Sequence, residues 1–215
     1  MEDLSIQKIK DYWKGKRVPQ QWYSNKEPLS LQWFNEISFK RFTMYYPYLK
    51  EFAEFKNHHG ENVLEIGCGV GTDTVEYSKN GAKISAIDLG EDQVKLTKLN
   101  LELRGLKYEN IKVANVEELD FHDKSFDLVY CFGVLHHTKD INKAVNEIYR
   151  VLKDDGHALI MLYSRGWKHY IKRCFIQGIL KGKIFKYNFD WQKLYNEISE
   201  VHGNSPMTLI LKKKE

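Results

Sequence analysis

The sequence has few of the residues that build covalent or metal cross-links. Only three cysteines occur, Cys68, Cys131 and Cys174, and they lie far apart. There is no C-x-x-C pair, so neither a zinc knuckle nor an even disulfide framework is expected. Long apolar runs are missing as well. Mean hydropathy is −0.54, and no stretch approaches the roughly 20 residues that cross a bilayer. The opening segment MEDLSIQKIKDYWKG lacks the apolar core of a secretory signal. A reducing, cytoplasmic setting is the expectation. Proline is scarce, with four in 215 residues, and three of these (Pro19, Pro28, Pro47) fall in the first 56. Short helices are expected there rather than one long one.

What is present suits one domain with a modest appendage. Hydrophobic residues make up 42% and charged ones 29%, which is a globular composition. The net charge of +4 is ordinary, but its distribution is not: Ser164 to the end carries +7, leaving −3 elsewhere. Thirteen of the 29 aromatic residues precede residue 57. The chain therefore reads in three parts: an aromatic arm over 1–56, a core over 57–165 and a basic extension over 166–215. Phe42, Tyr45, Tyr46, Leu49, Phe52 and Phe55 recur at helical spacing in the arm. Such aromatics pad a core, form a lid over a ligand, or do both.

The centre alternates between two periodicities. Asn62–Ile66, Lys83–Leu89, Ile111–Ala114, Phe126–Phe132 and His157–Tyr163 read as strands. Thr72–Asn80, Glu91–Arg104 and Asp140–Leu152 read as helices between them. This order implies parallel βαβ units. The expected fold is α/β: a Rossmann-like, doubly wound, mostly parallel sheet with helices on both faces and an abbreviated C-terminal edge. Met207–Lys212 is a candidate sixth strand. Helices are expected over Trp167–Leu180 and Asp190–Glu200.

The most informative string is Val63-Leu-Glu-Ile-Gly-Cys-Gly-Val-Gly71, a strand that runs through glycines straight into a helix. In an open α/β sheet, ligands bind beyond the carboxyl ends of the strands, where glycines let backbone approach them closely. The spacing is G-x-G-x-G (Gly67, Gly69, Gly71), not the G-x-G-x-x-G of dinucleotide sites. Glu65 precedes it by two residues. A carboxylate there would repel a pyrophosphate but suits a cationic amine. S-adenosylmethionine carries a sulfonium and an ammonium and no phosphate. Asp88, closing the second strand, is placed to accept hydrogen bonds from a ribose diol.

On these residues the stretch 60–165 resembles a class I S-adenosylmethionine-dependent methyltransferase, of the ubiquinone/menaquinone-type subgroup. VLEIGCGVGTD resembles the family's first motif and AIDL its second-strand acid. FDLVYCFGVLHH resembles its fourth strand with a following His pair, and EIYRVLKDDGHALIM its next helix and fifth strand. The resemblance implies S-adenosylmethionine as methyl donor, held by Glu65, Gly67, Cys68, Gly69, Gly71, Asp88, Leu89, Asn115, Val116 and Cys131. Where the family has an Asp after the third strand, this chain has Asn115, which keeps a carbonyl acceptor but loses charge assistance. Val116 would offer its backbone N–H to the adenine.

Methyl transfer is an in-line displacement that mostly needs alignment in a dry, aromatic-lined site. His136 and His137 are the candidate bases, with Glu117 as a further one. Cys68 and Cys131 read as packing residues. No metal is implied. The expected acceptor is a small or lipid-like molecule. The stretch 165–186 holds seven basic residues and no acid, which suits peripheral contact with an anionic membrane surface; nucleic acid is the less favoured partner. A non-catalytic binding module of the same fold and a tRNA methyltransferase remain alternatives.

Overall fold

The computed structural model describes residues 24–163 and, for the backbone alone, 206–212. The basic stretch 165–186, the helices expected over Trp167–Leu180 and Asp190–Glu200, and the aromatics Tyr12, Trp13, Trp22 and Tyr23 lie outside the described residues. Two compact units are distinguished: Met1–Ile160 with Ile210–Glu215, and Met161–Leu209. Almost all of the second falls outside the described residues.

The arm is built from short elements, as its prolines require. Helix α1 spans Leu31–Lys40. Ser30 caps it, its Oγ accepting the Trp33 N–H at 3.1 Å; such a cap contributes about 1 kcal/mol. A wider π-helical turn follows over Arg41–Tyr45. The chain then breaks at Pro47 and resumes as the four-residue helix α2, Leu49–Phe52.

Among the described residues six strands follow the arm: β1 (Asn62–Ile66), β2 (Lys83–Asp88), β3 (Asn110–Val113), β4 (Phe126–Phe132), β5 (Leu152–Tyr163) and β6 (Pro206–Lys212). Between them lie α3 (Thr72–Lys79), α4 (Glu91–Glu102), a single 3-10 turn (Leu135–His137) and α5 (Ile141–Val151). The sheet order is β3-β2-β1-β4-β5-β6. β1 pairs in parallel with β2 and β4, and β2 with β3. This is the doubly wound α/β arrangement expected from the sequence. The order reverses between β1 and β4, which puts the topological switch point at their carboxyl ends.

Most boundaries fall within two residues of expectation, and one differs by more. β5 begins at Leu152 rather than His157. The segment Lys153-Asp-Asp-Gly156 has turn composition, yet Gly156 is buried and packs so closely that an added Cβ would lie 2.9 Å from the Phe126 carbonyl oxygen. Lys153 Nζ also reaches both oxygens of Asp127 at 2.8 Å. Contact with β4 overrides the local preference.

Strand residues of both parities are buried: Val63, Leu64, Ile66, Ile84, Ala86, Ile87, Leu128, Val129 and Tyr130 are all at most 2% exposed. Both faces of the central sheet are therefore covered, as parallel sheets require. The arm belongs to this core. Phe42, Leu49, Ala53 and Phe55 pack with Val63, Tyr77, Leu128 and Tyr130. Trp33, Phe34 and Ile37 of α1 pack on Val70 and Leu96, which sets α1 against the glycine turn. Not every aromatic is used this way: Phe39 is 62% and Tyr48 41% exposed.

Candidate active site

The residues nominated from sequence occupy the carboxyl ends of four neighbouring strands. Gly67, Cys68, Gly69 and Gly71 form the exit from β1, Asp88 and Leu89 the exit from β2, Asn115 and Val116 the exit from β3, and Cys131, His136 and His137 the exit from β4. Glu65 lies within β1, one residue before its end.

The turn is left-handed at each glycine, with φ of 81°, 57° and 75° at Gly67, Gly69 and Gly71. The neighbours differ. A Cβ on Gly67 would sit 2.2 Å from Val134 Cγ2, so the loops leaving β1 and β4 meet there. A Cβ on Gly71 would sit 2.9 Å from the Thr97 Cα, so α4 closes against the turn. Above Gly69 there is open space, with nothing within 4 Å of an added Cβ.

Gly69 N–H donates to Asp88 Oδ2 at 3.0 Å, and Gly90 N–H to Asp88 Oδ1 at 3.0 Å. The turn and the acid of β2 are thereby fixed as one cradle. A carboxylate offers about four acceptor positions, so both oxygens can take a further donor. Burial pushes the Asp88 carboxyl upward, opposed by these backbone N–H groups.

Glu65 is 3% exposed and accepts from the Thr74 hydroxyl. Burial, reinforced by the charge of Asp73, holds its carboxyl well above the usual range. In the register of the sheet Glu65 lies beside Tyr130 of β4. The Tyr130 hydroxyl donates to Asp73 Oδ2 at 2.7 Å, and burial beside Asp73 keeps it a phenol.

Asp73 is also gripped by the arm. Arg41 Nε reaches Asp73 Oδ1 at 2.6 Å, and Nη2 reaches Oδ2, a bidentate pair that is almost wholly buried. Burial works against the Arg41 charge, but Asp73 more than offsets this and raises its pKa. The guanidinium lies 5.0 Å from the Phe132 ring centroid and 5.4 Å from that of Tyr46, close enough for cation–π attraction. Sequence reasoning missed this clamp. Its one visible signal is an Arg within an otherwise aromatic stretch.

The remaining nominated groups are placed as follows. Asn115 Oδ1 accepts the Glu117 N–H at 3.0 Å, which leaves one carbonyl lone pair. Val116 is buried and Leu89 half-buried. Glu117 Oε1 accepts the N–H of Lys139 at 2.7 Å and of Asp140 at 3.3 Å, so it ties the β3 exit to the entry of α5. The rings of His136 and His137 lie 4.0 Å apart. Burial, with His137 beside it, lowers His136 to about 3. Burial pushes Cys131 up to about 12, and burial together with the charges of Asp88 and Glu65 holds Cys68 well above its ordinary value. Both therefore remain thiols, unsuited to nucleophilic attack.

The donor set fits S-adenosylmethionine. Asp88 has free acceptor capacity for the ribose, and Glu65 is a buried acid two residues before the glycines. The Thr72 hydroxyl at the start of α3 is buried without a hydrogen-bond partner. The gap over Gly69 is one that a side chain would fill.

A doubly wound α/β fold with a glycine-turn cradle at its switch point is what the topology and these contacts define. Within that class, the family described as Methyltransferase domain matches residues 64–160, and this segment is similar to the class I S-adenosylmethionine-dependent methyltransferases. An uncharacterized methyltransferase, YcgJ of Bacillus subtilis, is 32% identical over 109 residues, covering 51% of this chain and 42% of the relative. The ubiquinone biosynthesis O-methyltransferase of Rickettsia conorii is 26% identical over 159 residues, covering 74% of this chain and 54% of the relative. A crystal structure of a SAM-dependent methyltransferase from Methanosarcina mazei is 28% identical with a TM-score of 0.51, covering 56% of this chain and 62% of that one. The chain spans about half the length of the curated relatives it matches.

Proposed function

We propose that the chain transfers a methyl group from S-adenosylmethionine to a small-molecule or lipid-like acceptor. The observation that carries this reading is the cradle: Gly69 N–H bound to Asp88, beneath open space, at the switch point of the sheet. When bound, the donor supplies an electrophilic methyl on a good leaving group. The protein's part is then to bind, orient and keep dry. Asp88 accepts from the ribose hydroxyls, Asn115 and Val116 face the adenine, and Glu65 answers the ammonium group. Residues 1–56 act as lid and acceptor wall, with Trp33 and Phe34 packed on the glycine turn.

At neutral pH His136 is uncharged and a weak proton acceptor, because its pKa is lowered to about 3. Where an acceptor needs deprotonation, that role falls to His137. The aromatic arm and the O-methyltransferase relatives support a small aromatic or lipid-like acceptor over nucleic acid. No helix among the described residues is long and apolar enough to cross a membrane. A cytoplasmic protein with peripheral membrane contact through 165–186 accords with the basic charge of that stretch.

Calorimetry with S-adenosylmethionine and its demethylated product tests the reading. Binding by the wild type and loss of at least tenfold in affinity for Asp88→Ala are expected. Failure of the folded protein to bind either compound overturns it. Transfer of a radiolabelled methyl group to small-molecule, lipid and RNA fractions then separates the acceptor classes.

A further inference from the structure

A second polar cluster lies at the amino end of β1, away from the glycine turn. Glu54 follows α2, His58 sits in the turn before β1, and His157 lies on β5. Among the described residues these are the one group of three His, Cys, Asp or Glu side chains whose ligand atoms converge, all within 4.8 Å of one another. β1 separates them from the glycine turn by about 16 Å of strand, so the cluster is distinct from the cradle.

His58 supplies the chemical argument. It is 3% exposed, and its Nδ1 lies 2.7 Å from Glu61 Oε2. An ionised carboxylate only accepts, so Nδ1 carries the proton. The other ring nitrogen, Nε2, is buried and has no hydrogen-bond partner. It lies 3.7 Å from Glu54 Oε2, and His157 Nε2 lies 3.5 Å from the same oxygen. These separations are too long for hydrogen bonds. They are close to the spacing of ligands around an ion, since zinc–nitrogen and zinc–oxygen bonds near 2.0–2.2 Å at tetrahedral angles put donor atoms about 3.3 Å apart. A lone pair on Nε2 facing a carboxylate oxygen is unfavourable unless a cation lies between them.

We propose that Glu54, His58 and His157 bind one Zn²⁺-class divalent cation. Two imidazoles and one carboxylate select such an ion over Mg²⁺ or Ca²⁺, which take oxygen donors. Glu61 completes a carboxylate–histidine–metal relay that fixes the His58 tautomer and ring orientation. Glu54 is 38% and His157 27% exposed at the side chain, so the fourth position opens to water. The ion bridges the end of the arm to β5 and fastens the entry to β1. This assignment does not depend on the methyltransferase reading.

The competing arrangement is a doubly protonated His58 held between Glu54 and Glu61 with no metal. The full chain, stripped with EDTA, separates the two. Calorimetric titration with Zn²⁺ and elemental analysis are expected to give one ion per chain, with a raised thermal midpoint and no such response to Mg²⁺. Because His58 is buried and its removal risks the fold, the test rests on exposed partners. His157→Ala and Glu54→Gln, with unchanged far-UV circular dichroism, should each weaken Zn²⁺ at least tenfold, and Glu61→Gln by about 10- to 100-fold. No saturable Zn²⁺ binding by the folded chain overturns the proposal. Binding that survives both His157→Ala and Glu54→Gln places the ion elsewhere and also overturns it.

Discussion

At the amino end of β1 the chain is held by side-chain charges, whereas at its carboxyl end it is held by backbone amides. Asn62 N–H donates to Asp127, which also takes the Lys153 ammonium. Burial alone would raise the Asp127 carboxyl, but Lys153 and the Asn62 N–H win and lower it. At the other end Glu65 and Asp88 are both raised. The Asp127–Lys153 pair neutralises itself and leaves nothing over for a ligand. Amides and under-compensated carboxyls leave unmet demand, which a polar, cationic ligand can meet.

The largest effect separating the two ends is expected at Arg41. Arg41→Ala leaves Asp73 buried without its counter-charge, and should cost about 3–5 kcal/mol in denaturant unfolding. Removing both partners, in Arg41→Ala with Asp73→Ala, should cost clearly less than the two single changes added together. Strict additivity would show that the pair does not act as a clamp.

Next comes the turn. Gly71→Ala strains a φ of 75° and drives a methyl into the Thr97 main chain, for a loss of about 2–3 kcal/mol. Gly69→Ala meets only the backbone strain, about 1 kcal/mol, but places its methyl in the open cradle. Thermal melts should therefore rank Gly71 as the worse change, and cofactor titrations should show a loss at Gly69 that its small stability cost does not explain.

Glu65 gives the pH signature. Its carboxyl is raised in the fold, so its contribution is most favourable below the unfolded value of about 4.5 and is lost as pH rises through the folded value. Glu65→Gln removes this dependence. It should raise stability at neutral pH, flatten the stability–pH curve between acid and neutral, and weaken S-adenosylmethionine binding. A variant less stable than the wild type at pH 7 would contradict this. Asp127 has the opposite sign: its carboxyl is lowered, so its contribution is present at neutral pH and lost only as pH falls below about 4. The Lys153 pair is partly exposed, and Lys153→Ala should cost under about 1 kcal/mol by chemical denaturation.

Local chemistry explains which features were readable from sequence. Strand-length apolar runs, the glycine turn and the acid ending β2 are contiguous patterns, and each carries its own physical reason. Asp88 and Gly69 lie 19 residues apart, yet their link could be anticipated because strand order brings successive β exits together. The Arg41–Asp73 pair, 32 residues apart, follows no periodicity, since an arm outside the repeating βαβ units can dock in many registers. The start of β5 was missed because Asp-Asp-Gly has turn chemistry, which only the flank of β4 overrules. His58 and His157 come together through that same pairing, and no spacing rule relates them.

The grip of Arg41 on Asp73 has a thermodynamic corollary. Asp73 bears on Glu65 from one side and on the arm from the other, so a methyl donor held at Glu65, as proposed, would share one electrostatic partner with the arm. Linkage would then make their influence mutual: whatever factor the Arg41–Asp73 contact adds to donor affinity, the donor would return to the stability of that contact.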